Sequence, residues 1–117
     1  MRFTNPYWSN KLRISALQRW VLIHSILYYE LDTSLVSDKV FDEHAKWLVQ
    51  MQNDYPDEAE LSDYWYVFYD FDGSTGFDLY DRLNKRDKQY LVHIAKHVLK
   101  ISKTEKGARH VSQGSGR

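Results

Sequence analysis

The sequence predicts an all-α domain, and three stretches carry that expectation. Residues 15–31, 37–54 and 84–101 each repeat apolar side chains at the three- and four-residue spacing that lines one face of a helix. A fourth stretch, "YWYVFYDF", has the aromatic and β-branched content of a strand. The Ser62–Asp63 pair just ahead of it is a fair helix start, so a short aromatic helix is expected there.

The elements follow in order. Residues 1–13, "MRFTNPYWSNKLR", read as an extended lead-in, with Pro6 breaking regularity and Tyr7 and Trp8 available to pack on the body. From Ser15, the residues Leu17, Val21, Leu22, Ile26 and Tyr29 fit a first helix over about 15–31. After the short connection "DTSLV", Ser37 can accept a free amide proton and Asp38 suits the positive end of a second helix. Val40, Phe41, His44, Trp47, Leu48 and Met51 mark one face of that helix up to Pro56, which completes a helical hairpin. "YPDEAELSDY" reads as a polar turn and "DGSTG" as a loop. Leu91, Ile94, Ala95, Val98 and Leu99 then define a long last helix over about 84–101. Residues 1–103 are expected to form one helical domain, with a flexible tail over 104–117 that lacks apolar spacing.

Size and composition narrow the function. At 117 residues the chain suits a single modest core and is short for a deep catalytic cleft, so a binding module is the expected class. Nine Tyr and four Trp supply amphipathic rings for the core and for at least one exposed face. The absence of cysteine excludes disulfides and thiolate zinc sites, and a cytoplasmic setting is the default expectation. The longest apolar run, "WVLIHSILYY", is broken by His24 and Ser25 and falls short of the roughly 20 residues of a membrane span. Neither a span nor a signal peptide is expected.

A net charge of zero conceals a partition. Residues 1–29 carry four bases and no acid, residues 30–81 fourteen acids against two lysines, and residues 82–117 ten bases against two acids. The basic end suits either nucleic acid or attraction to the acidic middle within the fold. The acidic middle would repel a phosphate backbone, so nucleic-acid binding is the lesser expectation.

The stretch "LYYELDTSLVSDKVFDEH" carries the most specific pattern. A helix ends in the tyrosine pair Tyr28 and Tyr29, Asp32 follows, and a short loop leads to a helix start bearing Asp38, Phe41 and Asp42. This spacing, over roughly residues 21–57, resembles the small helical N-terminal Ia domain of NAD-dependent DNA ligases. The resemblance implies a site for the nicotinamide mononucleotide (NMN) half of NAD, with an aromatic ring stacked on nicotinamide and carboxylates meeting the ribose and the cationic ring. The residue types suit that role, because a pyridinium is attracted to ring faces and carboxylates, and ribose hydroxyls donate to aspartate. The family's proline two residues after the first Asp is absent, and Thr33 and Ser34 stand there. Nothing beyond residue 57 resembles the ligase adenylation domain. Its nucleophilic lysine precedes Asp-Gly in a Lys-x-Asp-Gly motif, whereas "DFDG" here has Asp70 in that place, so no ligation or other enzymatic activity is expected. Small phage and prophage proteins that keep the ligase-like helical pair without the enzyme are the nearest comparison.

Weaker patterns have plain structural readings. Tyr28 and Phe41 are common core aromatics, and Asp38 is a common helix-start residue. Asp70, Asp72 and Asp78 around two glycines suggest a calcium loop, but Phe68 occupies the first ligand position and Leu79 the last, so a turn is expected instead of a metal site. His93 and His97 lie four apart without the acid that a zinc protease helix needs.

Two functions from different classes follow. The leading expectation is a non-enzymatic phage-type accessory or anti-defence protein that binds a host protein, using the exposed Tyr and Trp that anchor interfaces. The alternative is an NMN- or NAD-binding module built on Tyr28, Tyr29, Asp32, Asp38, Phe41 and Asp42. DNA binding through the basic last helix is a third and weaker one.

Overall fold

The computed structural model describes residues 8–74 and 76–114, with side chains described through Thr104. The architecture is all-α: α1 (Asn10–Tyr29), α2 (Asp38–Asp54), α3 (Pro56–Glu60), α4 (Trp65–Phe68), α5 (Leu79–Arg82) and α6 (Lys85–Gly114), with no strand among the described residues.

Helix α1 is the central element. Ile14, Leu17, Val21, Leu22, Ile26 and Leu27 are all fully buried, and they cover more than one face of the helix because α2 and α6 both pack along it. It starts five residues before the expected Ser15. The Ser9 hydroxyl accepts the Leu12 N–H at 3.2 Å and is the N-cap, so residues 10–13 of the expected lead-in are helical. Residues 1–7, with Pro6 and Tyr7, lie outside the described residues. Ser15 instead faces inward and accepts the Asp63 N–H at 3.0 Å. The helix ends where the Thr33 N–H reaches back to the Leu27 carbonyl at 2.8 Å, with Asp32 in the left-handed region at φ 51.

Helix α2 starts as the sequence reads it. The Ser37 hydroxyl accepts the Val40 N–H at 3.2 Å, and Asp38 occupies the first turn beside the exposed amides. Ala45, Leu48 and Gln52 face α1, and Phe41, Trp47 and Met51 pack at the margin of the core.

The polar stretch read as a turn carries one short helix, and two more follow it. Pro56, its φ already helical, opens α3, which buries Ala59. The aromatic segment is helix and not strand: Val67 and Phe68 of α4 are fully buried. Leu79 of α5 is a third anchor, 1 % exposed. In α6, Leu91 and Ala95 enter the core, and Asn84 caps the helix by accepting the Asp87 N–H at 2.8 Å. The Tyr66 hydroxyl accepts the Asn84 N–H and donates to the Asp87 carboxylate at 2.6 Å. Burial and that bond to Asp87 push the Tyr66 phenol up to about 12. Helix α6 continues to Gly114, thirteen residues past its expected end, so most of the stretch read as a tail lies within it; residues 115–117 lie outside the described residues.

A buried polar hub joins these layers. The Gln18 side-chain NH2, on a fully buried residue, donates to Gln52 Oε1 at 3.0 Å and to Ser62 Oγ at 2.8 Å, while Gln18 Oε1 accepts the Tyr64 N–H at 3.0 Å. The Gln52 NH2 donates onward to the Phe68 carbonyl at 3.1 Å. One amide thus fixes α1 to α2 and to the segment joining α3 to α4. Gln18→Ala leaves the Tyr64 N–H and the Gln52 carbonyl oxygen buried without this partner and opens a cavity. Urea denaturation is expected to show a loss of about 3 kcal/mol or more, and a loss below about 1 kcal/mol would contradict the hub's role.

Candidate functional site

The side chains that α1 and α2 turn toward their shared end frame a concave cleft of about 310 Å3. That volume is at the lower end of small-ligand sites, which begin at roughly 300 Å3. Helix α1 contributes His24, Ser25, Tyr28 and Tyr29, residues three to five apart on one side of its last turns. Helix α2 contributes Asp38, Phe41 and Asp42, which the same spacing brings onto one face of its first turns. The connection between the helices adds Ser34, Leu35 and Val36, and Ser74 comes from the loop before α5.

Of the six residues singled out in the sequence, Tyr28, Tyr29, Asp38, Phe41 and Asp42 line this cleft and Asp32 does not. The position of Asp32 follows from its backbone: it carries the left-handed turn that ends α1, a conformation its short polar side chain tolerates. The rim is wet and aromatic. Tyr28 is 53 % exposed and meets Tyr29 edge to face at 4.8 Å between ring centroids, and Tyr29 meets Phe77 in the same manner at 5.7 Å.

A ring stack backs the cleft. Trp20 lies 4.2 Å from His24 and 4.0 Å from His44 between centroids, nearly parallel to the latter, with Phe41 at 6.1 Å. His44 Nδ1 carries its proton, since it donates to the Val40 carbonyl at 2.8 Å. Burial, with His44 second, lowers His24 from 6.5 to about 4, so it is a neutral imidazole at neutral pH. His24 Nδ1 and Ser25 Oγ are both buried without a hydrogen-bond partner among the described residues. The sequence shows these two residues only as interruptions of an apolar run. Their place three and four residues before Tyr28 is the signal that could have assigned them to the same face.

The loop that closes the cleft floor is held by close approach. Gly76 sits so near Ser25 and Phe41 that an added Cβ would overlap the Ser25 hydroxyl and lie 3.3 Å from Phe41 Cζ. Gly73, at φ 83, lies against Val49 and Ala45 of α2. The carboxylates of this loop have partners. Arg82 Nη1 donates to Asp70 at 2.5 Å, Arg82 Nη2 lies 3.3 Å from Asp78, and Asp72 accepts both the Ser74 N–H and the Ser74 hydroxyl. The Arg82 bond holds Asp70 below the usual carboxylate range, and the Ser74 bonds do the same for Asp72. No cluster of three His, Asp or Glu side chains suited to a metal occurs among the described residues, and His93 and His97 are exposed on α6.

The chemistry of the cleft is that of a cation-accepting aromatic site. Asp38 and Asp42 place two exposed carboxylates at its mouth, Phe41 and Tyr28 offer ring surface, and no Lys or Arg lines it among the described residues. The basic residues Lys96, Lys100 and Lys103 of α6 surround a separate shallow surface with Leu31 and Leu99. No described helix is long and apolar enough to cross a membrane. No protein-family model, curated protein or solved structure matches the chain.

Two outcomes check this geometry. The unfolded chain protonates His24 near pH 6.5 and the folded chain only near pH 4, so acid favours unfolding across that window and stability rises with pH through it. Denaturation at pH 4.5 and 7 is expected to show a smaller stability difference for His24→Gln than for the wild type, and an unchanged difference would contradict the buried neutral imidazole. Gly76→Ala is expected to lower stability by about 1–3 kcal/mol through overpacking on Ser25 and Phe41, read by thermal denaturation. A neutral result would mean that the loop does not press on the floor.

Proposed function

We propose that this protein is a non-enzymatic binding module for a cationic aromatic nucleoside or nucleotide of the nicotinamide type. The observation that carries this reading is the convergence of Tyr28, Tyr29, Asp38, Phe41 and Asp42 on one cleft. Those residues carry the ligase Ia resemblance, and the cleft they line has the electrostatics a pyridinium requires. The ring stacks against Phe41 or Tyr28, its positive charge faces Asp38 and Asp42, and the ribose hydroxyls donate to whichever carboxylate oxygens the ring leaves free. Binding, not turnover, is the proposed activity, because a ligand held here meets no amine or thiol nucleophile in the lining.

Exposed rings at the rim favour a second reading alongside the first. Phe77 is 69 % and Tyr28 53 % exposed, and with Tyr29 they form an aromatic ledge of the kind that anchors a protein partner. In this reading the module acts as a phage-type accessory factor, and a host protein closes over the cleft as the second wall of the site. Such an arrangement makes affinity for the free ligand modest.

Titration of isotope-labelled protein with NMN and NAD, followed by NMR, tests the main reading. Saturable shifts clustered at Tyr28, Tyr29, Asp38 and Phe41 are expected, weakened about tenfold or more in Asp42→Ala. Silence up to millimolar ligand would sink the nucleotide reading and leave the ledge as the functional surface.

A further inference from the structure

The sequence leaves the basic end of the chain two uses, pairing with the acidic middle or meeting an outside anion, and the ion pairs decide between them. Among the described side chains from Arg82 onward, Arg82 alone reaches carboxylates, those of Asp70 and Asp78. Lys88 lies over the Tyr80 ring at 5.1 Å. Lys85, Lys96, Lys100 and Lys103 of α6 are exposed, with no acid within ion-pair distance among the described residues. From Lys88 to Thr104 the helix carries no Asp or Glu. At about 100° per residue the four lysines fall within an arc of about 60° and over about 27 Å of helix axis. The exposed Gln89 and His93 fill the same side between Lys85 and Lys96. Arg86, which shares its surface with Asp63 and Asp87, lies outside the arc.

The repulsion expected from the acidic middle is held off this face. Helix α2, with Asp38, Asp42 and Glu43, packs along α1, and α6 packs along α1 as well. Helix α1 has no acid of its own and puts its width of about 10 Å, a Debye length at about 0.1 M salt, between them. Asp87, at the start of α6, is taken up by the Tyr66 hydroxyl.

We propose that this face of α6 docks in the major groove of duplex DNA, with Lys85, Lys96, Lys100 and Lys103 on backbone phosphates and Gln89 and His93 toward the groove. The groove, about 12 Å wide, admits a helix, and the duplex offers about 16 negative charges along the length of the arc. The deep, narrow major groove of duplex RNA does not admit one. A single strand is held by stacking on rings, and Tyr90, the one exposed ring of α6 among the described residues, lies off the arc. A membrane surface requires an apolar face, but Leu91 and Ala95 are buried, Leu99 packs on the core, and Ile101 is the one large aliphatic side chain of α6 exposed among the described residues. The surface is separate from the cleft, so this inference stands or falls independently of the nicotinamide reading.

Titration of the full chain into a fluorescein-labelled mixed-sequence duplex, read by anisotropy at several salt concentrations, tests the inference. Binding is expected at roughly 1–100 μM in about 50 mM NaCl, with a slope of log affinity against log salt of about −3.6 for four phosphate contacts. Combining Lys96→Gln, Lys100→Gln and Lys103→Gln, which keeps helix propensity and is checked by circular dichroism, is expected to weaken binding about tenfold or more and bring the slope to about −1. Lys39→Gln with Lys46→Gln on α2 removes charge of the same sign elsewhere and is expected to stay within about twofold of the wild type. No saturable binding up to about 300 μM protein in about 50 mM NaCl, or a loss in the α2 variant as large as in the α6 variant, would overturn the proposal. So would equal or tighter binding to a single strand of the same sequence, or to vesicles of phosphatidylcholine and phosphatidylserine at about 3:1.

Discussion

The buried amide of Gln18 is the constraint on which the rest of the molecule depends. A primary amide inside an apolar core is stable only when its donors and its acceptor are all met, and here the partners come from three different parts of the chain. Apolar packing alone tolerates a helix sliding or rotating by a fraction of a turn. The Gln18–Gln52 bond does not, because a shift of α1 against α2 that breaks it leaves two buried polar groups unpaired at once.

That register is what assembles the cleft. Gln18 lies two turns before Ser25, and Gln52 lies about three turns after Phe41 and Asp42, so one bond away from the connection sets how the joined ends of the two helices meet. The Trp20–His44 stack at 4.0 Å repeats the lock closer to the site. Arg82 secures the remaining wall from the other side: it bonds the Val67 carbonyl of α4 and the Asp70 carboxylate, tying the 70–78 loop to α4 and α5. The acids that look like metal ligands in the sequence are thereby used to shape the loop that bears Ser74 and Gly76.

How much of this was legible in the sequence follows from what each feature depends on. The hairpin was readable because Ser37 caps α2 through contacts within four residues and because the apolar face of α2 is one-sided. The start of α1 was not, since Ser15 has the side chain of a cap and only its tertiary partner, the Asp63 amide, shows that it is not one, while Ser9 within the stretch read as extended takes that place. The short helices α3 and α5 were missed because each is held by a single buried anchor, Ala59 or Leu79, too little to make a periodic pattern. At the cleft, the resemblance brought Tyr28, Tyr29, Asp38, Phe41 and Asp42 to one site, while it also named Asp32, which a left-handed backbone conformation that spacing does not encode leaves outside the lining. Ser25 and His24 were hidden for a different reason. Their meaning lies in hydrogen bonds they do not make, and only the positions of the neighbouring groups reveal that.

The unpaired floor also bears on why the chain keeps those residues. A valine or alanine at position 25 and a leucine at position 24 would continue the apolar run of α1 and fit its helical spacing. Either change would remove a buried polar group without a partner, which by itself favours the folded state. The sequence instead places two polar side chains at adjacent positions beside the cleft, and sets a glycine where any side chain would displace the serine. Gln18, as fully buried as Ser25, meets all of its polar atoms, so the unmet bonds at positions 24 and 25 are a local cost of the cleft and not a general looseness of the core.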